Sequence, residues 1–219
     1  PRPQDQKAIS PDLFGVFFED INYAADGGLY AELVQNRGFE YSDADHPRHE
    51  GWGPAYAWRT YGGAALSFDT ANPIHANNAH YAVLDVGKPG DAMANTGFDG
   101  IAVKQGDTYL LSLFGRMVEG NGRRVRVALR TKDGREIGSA AVTLPRNGWR
   151  KLDAKIKATE TAADAELAIM PEAAGRYAFD MVSLFPKDTY KGRRNGLRRD
   201  LAEAIANLKP RFVRFPGGC

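Results

Sequence analysis

The sequence predicts a mainly β fold, in which a jelly-roll or β-sandwich domain is inserted into the first β-to-α connection of a βαβ unit. Three features predict it: an apolar run that ends at two carboxylates near residue 20, a β-rich stretch over residues 39–186, and a helical pattern followed by a short strand. One βαβ unit cannot bury both faces of its strands. We therefore expect the chain to be the beginning of a longer protein, cut after its second parallel strand.

The first predicted strand lies within residues 13–22. This run is apolar at nearly every position up to Phe18, which is typical of a strand covered on both faces. Glu19, Asp20 and Asn22 follow at its carboxyl end, where folds with parallel strands assemble their ligand sites. The alternative is that Asp20 and Asn22 only cap a turn.

A short helix is predicted after this strand. Asp26 can cap a helix that begins near Leu29, because apolar residues recur at helical spacing up to Val34. Gly38 is placed to end the helix, since glycine readily adopts the positive φ of a C-terminal cap.

The long middle stretch contains short apolar runs separated by turn residues. Gly120-Asn121-Gly122 is one such turn, and residues 108–114 alternate apolar and polar side chains with the period of a half-buried antiparallel strand. Many short strands without a convincing helix indicate an all-β sandwich or jelly roll. The nine predicted strands cover residues 64–69, 80–86, 100–103, 108–118, 123–131, 140–144, 149–158, 165–170 and 177–185.

The chain then returns to a helix and a strand. Asn195 can cap a helix with one apolar stripe that runs from Leu197 to Leu208, and Pro210 ends it. Residues 211–215 form the second short strand, and Pro216-Gly217-Gly218-Cys219 follows it directly. Two glycines let the backbone approach a ligand closely, although a plain glycine turn is the alternative.

Composition excludes several classes of function. The formal net charge is +2, from 29 basic and 27 acidic residues, and no broad basic face with interleaved aromatics indicates a nucleic-acid partner. No apolar run approaches the roughly 20 residues that span a bilayer. The single cysteine excludes an internal disulfide framework. The polar start without methionine is consistent with processing, and we favour a secreted or periplasmic location over a cytoplasmic one.

Four aromatic residues are candidates for stacking on sugar rings, because planar apolar ring faces suit the C–H groups of sugars. The alternative is that they belong to the core, as large aromatics often do, and we expect Trp149 to be a core residue. The four candidates are Trp52, Trp58, Tyr61 and Tyr81.

Both ends of the chain resemble one family. ISPDLFGVFFEDIN at residues 9–22 and ADGGLYAELVQNR at residues 25–37 resemble the N-terminus of glycoside hydrolase family 51 α-L-arabinofuranosidases. LFPKDTYKGR at residues 184–193, NGLR at residues 195–198 and RFVRFPGGC at residues 211–219 resemble the same family.

The resemblance implies an incomplete (β/α)₈ barrel. Residues 1–38 would hold its first strand and the following helix, and residues 187–219 would hold barrel helix 1 and strand 2. Residues 39–186 would form an inserted sandwich similar to carbohydrate-binding modules. The partners implied are an arabinose-containing polysaccharide or oligosaccharide and the remainder of the barrel, with a homo-oligomer as a further possibility.

The resemblance also implies a site and a reaction. Glu19 would hydrogen-bond hydroxyls of the arabinofuranosyl ring, and Cys219, Gly218 and Asn22 would lie in the same subsite, although many family members carry asparagine at the position of Cys219. Retaining hydrolysis uses two glutamates. In the family both come from later barrel strands, so we expect these 219 residues to be inactive alone.

No cofactor is expected to be required, but the resemblance raises structural calcium as a possibility at Glu40 and Asp180. Two carboxylates are few for an ion that takes six to eight oxygen ligands, and ion-paired surface residues are the alternative. The alternative function is a non-catalytic β-sandwich that binds carbohydrate or braces the barrel. An exposed, coplanar row of the four aromatics would favour binding, and their burial would favour bracing.

Overall fold

A computed structural model describes residues 7–46 and 49–216. The chain divides into two compact units: Pro1–Ala31 together with Thr189–Cys219, and Glu32–Asp188. The second unit is thus a continuous insertion into the first. Its limits lie seven residues before and two residues after the predicted limits at residues 39 and 186.

The described residues contain thirteen strands and one α-helix, α1 (Arg199–Asn207). The strands are β1 (Val16–Phe17), β2 (Trp58–Tyr61), β3 (Ala65–Asp69), β4 (Tyr81–Val86), β5 (Ala92–Asn95), β6 (Ile101–Val103), β7 (Thr108–Gly120), β8 (Arg124–Arg130), β9 (Glu136–Thr143), β10 (Arg150–Lys157), β11 (Ala162–Pro171), β12 (Gly175–Pro186) and β13 (Val213–Arg214).

In the first unit, β1 and β13 form a parallel pair in which Val16 lies opposite Val213. The amide of Phe18 donates to the carbonyl of Arg214 at 2.9 Å. Phe17 is 56% exposed and Val213 is 60% exposed, as expected of one βαβ unit, which cannot bury both faces of its strands. A two-stranded pair has too little protein around it to cover both faces.

The prediction of a helix after β1 is wrong, because no helix occurs in residues 24–38. The amides that an α-helix would use have other acceptors. The carboxylate of Glu32 accepts the amides of Leu33 and Val34, and the amide of Leu33 also donates to the carbonyl of Leu184 at 2.9 Å. The spacing of apolar residues here reflects burial of an extended segment rather than a helix face.

The second predicted helix exists but begins four residues after the predicted cap. Arg198 precedes α1 and makes no side-chain cap bond, whereas Asn195 has a left-handed φ of 50°. Ala202 is the one buried residue of α1, and Leu208 is 70% exposed. No helix within the described ranges is long and apolar enough to cross a membrane.

The second unit is an antiparallel sandwich, so the predicted mainly β fold class is confirmed. One sheet has the order β10-β7-β12-β4-β3, and the other has the order β2-β5-β11-β8-β9 with β6 on β11. Alternate residues of both sheets, such as Leu84, Leu113, Leu129 and Leu167, are fully buried between them. All nine predicted strands are present, while β2 and β5 are additional strands that the sequence pattern does not predict.

Candidate functional site

The carboxyl ends of β1 and β13 lie side by side in the first unit. The rings of Phe18 and Phe215 are 5.9 Å apart, which places the residues after each strand close together. Glu19 is partly exposed and Asn22 is exposed at this end. Gly218 and Cys219, the other two predicted subsite residues, lie outside the described residues.

Asp20 has a structural role at the same place. Its Oδ1 accepts the amide of Ala25 at 2.8 Å, so this carboxylate closes the turn after β1. The turn-capping alternative therefore applies to Asp20. Because Asp20 closes the turn, Glu19 is the carboxylate of the Glu19–Asp20 pair that can face a ligand.

The four aromatic candidates do not form an exposed row. Trp52 and Trp58 are each 7% exposed and Tyr81 is 1% exposed, so protein covers their ring faces. Tyr61 alone of the four is partly exposed. Burial of these rings was expected to favour a bracing role, so we assign that role to Trp52, Trp58 and Tyr81.

The contacts of these rings show what they brace. Trp52 stacks on Tyr41 with ring centroids 4.4 Å apart. Trp58 packs on Phe39 at 5.0 Å, and its indole nitrogen donates to the carbonyl of Asn36 at 3.1 Å. Residues 36–41 and 52–58 are thereby packed against one another and against the sandwich core.

Tyr81 belongs to a polar cluster on the outer face of the five-stranded sheet. Its hydroxyl donates to Asp69 at 2.8 Å, and the guanidinium of Arg116 lies 5.4 Å from its ring and 5.0 Å from the ring of Trp149. Burial raises the pKa of the Tyr81 hydroxyl. Trp149 is half-buried and donates to the carbonyl of Asn72, which corrects the expectation that it is a core residue.

The two proposed calcium ligands lie in one hydrogen-bonded cluster. Asp180 accepts from Asn78 Nδ2 at 2.8 Å and from the amide of Met181 at 2.7 Å. Glu40 accepts the amide of His80 at 2.7 Å, and its other oxygen lies 2.6 Å from His80 Nδ1. All four carboxylate oxygens therefore have a partner within the chain. The described part of the chain contains no group of three or more His, Cys, Asp or Glu residues that could hold a metal.

A further cluster, not predicted from the sequence, lies on the outer face of the six-stranded sheet. Glu166 is 3% exposed and accepts from Arg59 Nε at 3.1 Å and from the hydroxyl of Tyr61 at 2.6 Å. Burial and the hydrogen bond to Glu166 raise the pKa of Tyr61 to about 12. Glu166, the one carboxylate within the predicted apolar strand at residues 165–170, was the available signal in the sequence.

The two-sheet antiparallel sandwich defines a class of protein. Residues 31–175 match the family described as "Carbohydrate binding domain", and the chain belongs to this family.

The chain is also similar, over nearly its whole length, to arabinofuranosidases. It is 45% identical over 97% of its length to "Extracellular exo-alpha-L-arabinofuranosidase" of Streptomyces chartreusis, and 33% identical over 97% to "Alpha-L-arabinofuranosidase 1" of Arabidopsis thaliana. It superimposes on the crystal structure of an arabinose-bound glycoside hydrolase family 51 α-L-arabinofuranosidase with a TM-score of 0.82 and 32% identity over 94% of its length. These similarities confirm the predicted resemblance to the N-terminal part of that family. The chain spans 24%, 32% and 34% of the three proteins, respectively.

Proposed function

We propose that this chain is the N-terminal part of a retaining, exo-acting α-L-arabinofuranosidase that releases terminal α-L-arabinofuranosyl residues from arabinan- or arabinoxylan-type glycans. The observation that carries the proposal is the 45% identity to the Streptomyces chartreusis arabinofuranosidase over 97% of this chain. The same relative is described as extracellular, which supports a secreted location.

In this proposal the first unit supplies one wall of the sugar subsite. Glu19 follows β1 at the end where β13 also finishes, and a carboxylate there accepts hydrogen bonds from ring hydroxyls. The two glutamates that retaining hydrolysis requires would come from later barrel strands. The exposed apolar side chains of β1 and β13 support this, since the helices and the interior side chains of a complete barrel would cover them.

The inserted sandwich would have a glycan as its partner. Its membership of a carbohydrate-binding family supports this role. We expect the sandwich to hold the polysaccharide or to brace the barrel while the barrel performs the reaction.

The test is hydrolysis of 4-nitrophenyl α-L-arabinofuranoside by the whole protein. Glu19→Ala should lower kcat/KM by roughly ten- to hundredfold, the loss expected for a hydrogen bond to a charged group. Glu203→Ala, which removes an exposed glutamate of α1, should leave the rate unchanged. Equal rates for the two variants would refute the role of Glu19, and hydrolysis by these 219 residues alone would refute the placement of the catalytic glutamates.

A further inference from the structure

The chain contains three Asn-Gly dipeptides, at Asn121-Gly122, Asn147-Gly148 and Asn195-Gly196. In such a pair the backbone nitrogen of the glycine can attack the side-chain amide of the asparagine, because glycine has no Cβ to hinder the approach. This reaction is one reason why asparagine is a labile residue. All three asparagines are exposed, so exposure alone does not distinguish them.

Two of the three glycines are packed against other parts of the chain. A Cβ at Gly122 would collide with the Cβ of Ala173, and the Gly122 carbonyl accepts the hydroxyl of Tyr177 at 3.1 Å. A Cβ at Gly196 would come within 2.7 Å of a backbone oxygen, and the Gly196 carbonyl accepts the amide of Ala31 at 3.2 Å. Rotation that brings either glycine nitrogen to the asparagine side chain would disturb these contacts. Attack at these two sites therefore requires local opening of the chain.

Gly148 lies in a turn without such contacts. Arg146, Asn147 and Gly148 are all exposed, and a Cβ at Gly148 would meet no atom within 4 Å. Within residues 7–46 and 49–216, the Gly148 amide has no hydrogen-bond acceptor. Its φ of 69° lies in the left-handed region that glycine adopts without strain. Neither packing nor a hydrogen bond therefore holds the Gly148 nitrogen away from the side chain of Asn147.

The chain on either side of this turn is fixed. Before the turn, Leu144 is fully buried and its amide donates to the carbonyl of Arg123 at 2.9 Å. After the turn, Trp149 Nε1 donates to the carbonyl of Asn72 at 2.8 Å. Rearrangement can thus be confined to the short exposed turn, and it requires no unfolding of β9 or β10.

We propose that Asn147 is a site of spontaneous deamidation in the folded protein. The nitrogen of Gly148 attacks Cγ of Asn147. The N–Cγ bond forms, the Cγ–Nδ2 bond breaks, and the side-chain nitrogen leaves as ammonia with the proton of the Gly148 amide. Water then opens the resulting succinimide: cleavage at Cγ gives aspartate, and cleavage at the backbone carbonyl carbon gives isoaspartate. Water is the only co-reactant, and no atom changes its oxidation state.

Both products change the properties of this turn. A carboxylate at position 147 lowers the formal net charge of +2 by one. Isoaspartate also lengthens the backbone by one carbon, in a turn whose ends are held by Leu144 and Trp149. The acidic fraction of a sample should therefore grow with the age of the protein. The inference is independent of the proposed function, because it requires neither a glycan nor the residues that follow β1.

The test follows all three asparagines in the whole protein, kept folded at pH 8 in oxygen-18 water, which labels only the carboxylates that form during the incubation. Brief trypsin digestion in ordinary water then gives one peptide for each site: Asn147–Arg150, Met117–Arg123 and Asn195–Arg198. We expect Asn147 to react at least about tenfold faster than Asn121 or Asn195, which corresponds to a local opening cost of about 1.4 kcal/mol at the other two sites. In urea the three rates should become similar, because unfolding releases all three glycines.

Asn147→Gln is the matched variant, because glutamine would have to close a larger and less favourable ring. Intact-mass and cation-exchange analysis of aged protein should show that the main acidic form is lost in Asn147→Gln and kept in Asn121→Gln. Equal rates at the three sites of the folded natural chain, or an undiminished acidic form in Asn147→Gln, would overturn the proposal. The comparison within the natural chain does not depend on the folding of any variant.

Discussion

Asp180 is a fully buried carboxylate in β12 with an unusual acidity. Burial raises its pKa to about 7, and Glu40 acts in the same direction, whereas hydrogen bonds from Asn78 and Met181 lower it. Because this pKa lies above the ordinary value of 3.8, the folded protein keeps a proton on Asp180 over a pH range in which the unfolded chain loses it. The contribution of Asp180 to stability is therefore present at low pH and is lost as the pH rises towards 7.

We predict that the free energy of unfolding falls between pH 4 and pH 7 more steeply in the natural chain than in the Asp180→Asn variant, whose amide does not titrate. At about 1.4 kcal/mol per pKa unit, the upper limit of the difference is about 4 kcal/mol. Urea unfolding followed by tryptophan fluorescence at pH 4 and pH 8 measures it, with the exposed Asp45→Asn as control. Identical pH profiles for Asp180→Asn and the natural chain would contradict the prediction.

Repeating the pH 8 measurement with calcium chloride tests the calcium hypothesis, which an increase in stability would support.

The residues of the two candidate sites differ in how well the sequence predicts them. Glu19 stands at the end of an apolar run, so a local pattern is enough to single it out. Arg59 and Tyr61 lie more than 100 residues before Glu166 and meet it only because β2, β5 and β11 pair in one sheet. No spacing rule connects such residues before the order of the strands is known.

At the scale of elements, the alternation of apolar and polar residues and the turn residues between runs predict nine strands of the sandwich, all of which are present. The sequence does not predict β5 because its residues, Ala-Met-Ala-Asn, include no β-branched side chain. All four are buried, so they also lack the alternation of buried and exposed positions that marks a half-buried strand. Its strand conformation comes from its neighbours, since β2 pairs with one edge and β11 with the other. Pairing in the sheet therefore overrides a weak local preference.

The hydrogen bonds of Glu32 explain why the helix predicted after β1 does not form. This side chain is 1% exposed, and it accepts hydrogen bonds from the hydroxyl of Ser183 and the amides of Leu33, Val34 and Leu184. Burial raises its pKa, and the hydrogen bonds oppose that shift. The Glu32 carboxylate thus accepts hydrogen bonds from the amides of Leu33 and Val34, which in a helix would donate to backbone carbonyls.

We predict that Glu32→Ala destabilises the sandwich by about 3 kcal/mol, because it leaves several buried donors without an acceptor. All three tryptophans, Trp52, Trp58 and Trp149, lie in the sandwich unit, so tryptophan fluorescence of the chain in urea reports its unfolding. Glu172→Ala, at an exposed ion pair with Arg124, should change stability by less than about 1 kcal/mol. A Glu32→Ala variant as stable as this control would show that the amides find other acceptors.

At the scale of the whole chain, the two units differ in how well they cover their apolar residues. The sandwich encloses a continuous core between its sheets. In the first unit, by contrast, Phe14, Phe17, Phe212 and Phe215 are between 51% and 67% exposed. Apolar surface of this extent is typical of an interface that lacks its partner.

We therefore predict that residues 1–219 self-associate when expressed alone, whereas residues 32–188 are monomeric and unfold cooperatively. Size-exclusion chromatography with light scattering over a range of protein concentrations compares the two. A monomeric, cooperatively unfolding chain of 219 residues would count against the incomplete barrel.

The start and the finish of the sandwich are neighbours, since Leu33 hydrogen-bonds to Leu184 and Glu32 to Ser183. A domain with adjacent ends can be spliced into a host gene, or deleted from it, in one recombination event without rerouting the host polypeptide. Evolution can therefore exchange this sandwich for another domain while leaving the rest of the host protein intact. In the proposed arabinofuranosidase, the role of the inserted domain and the reaction of the barrel would then change independently in different lineages.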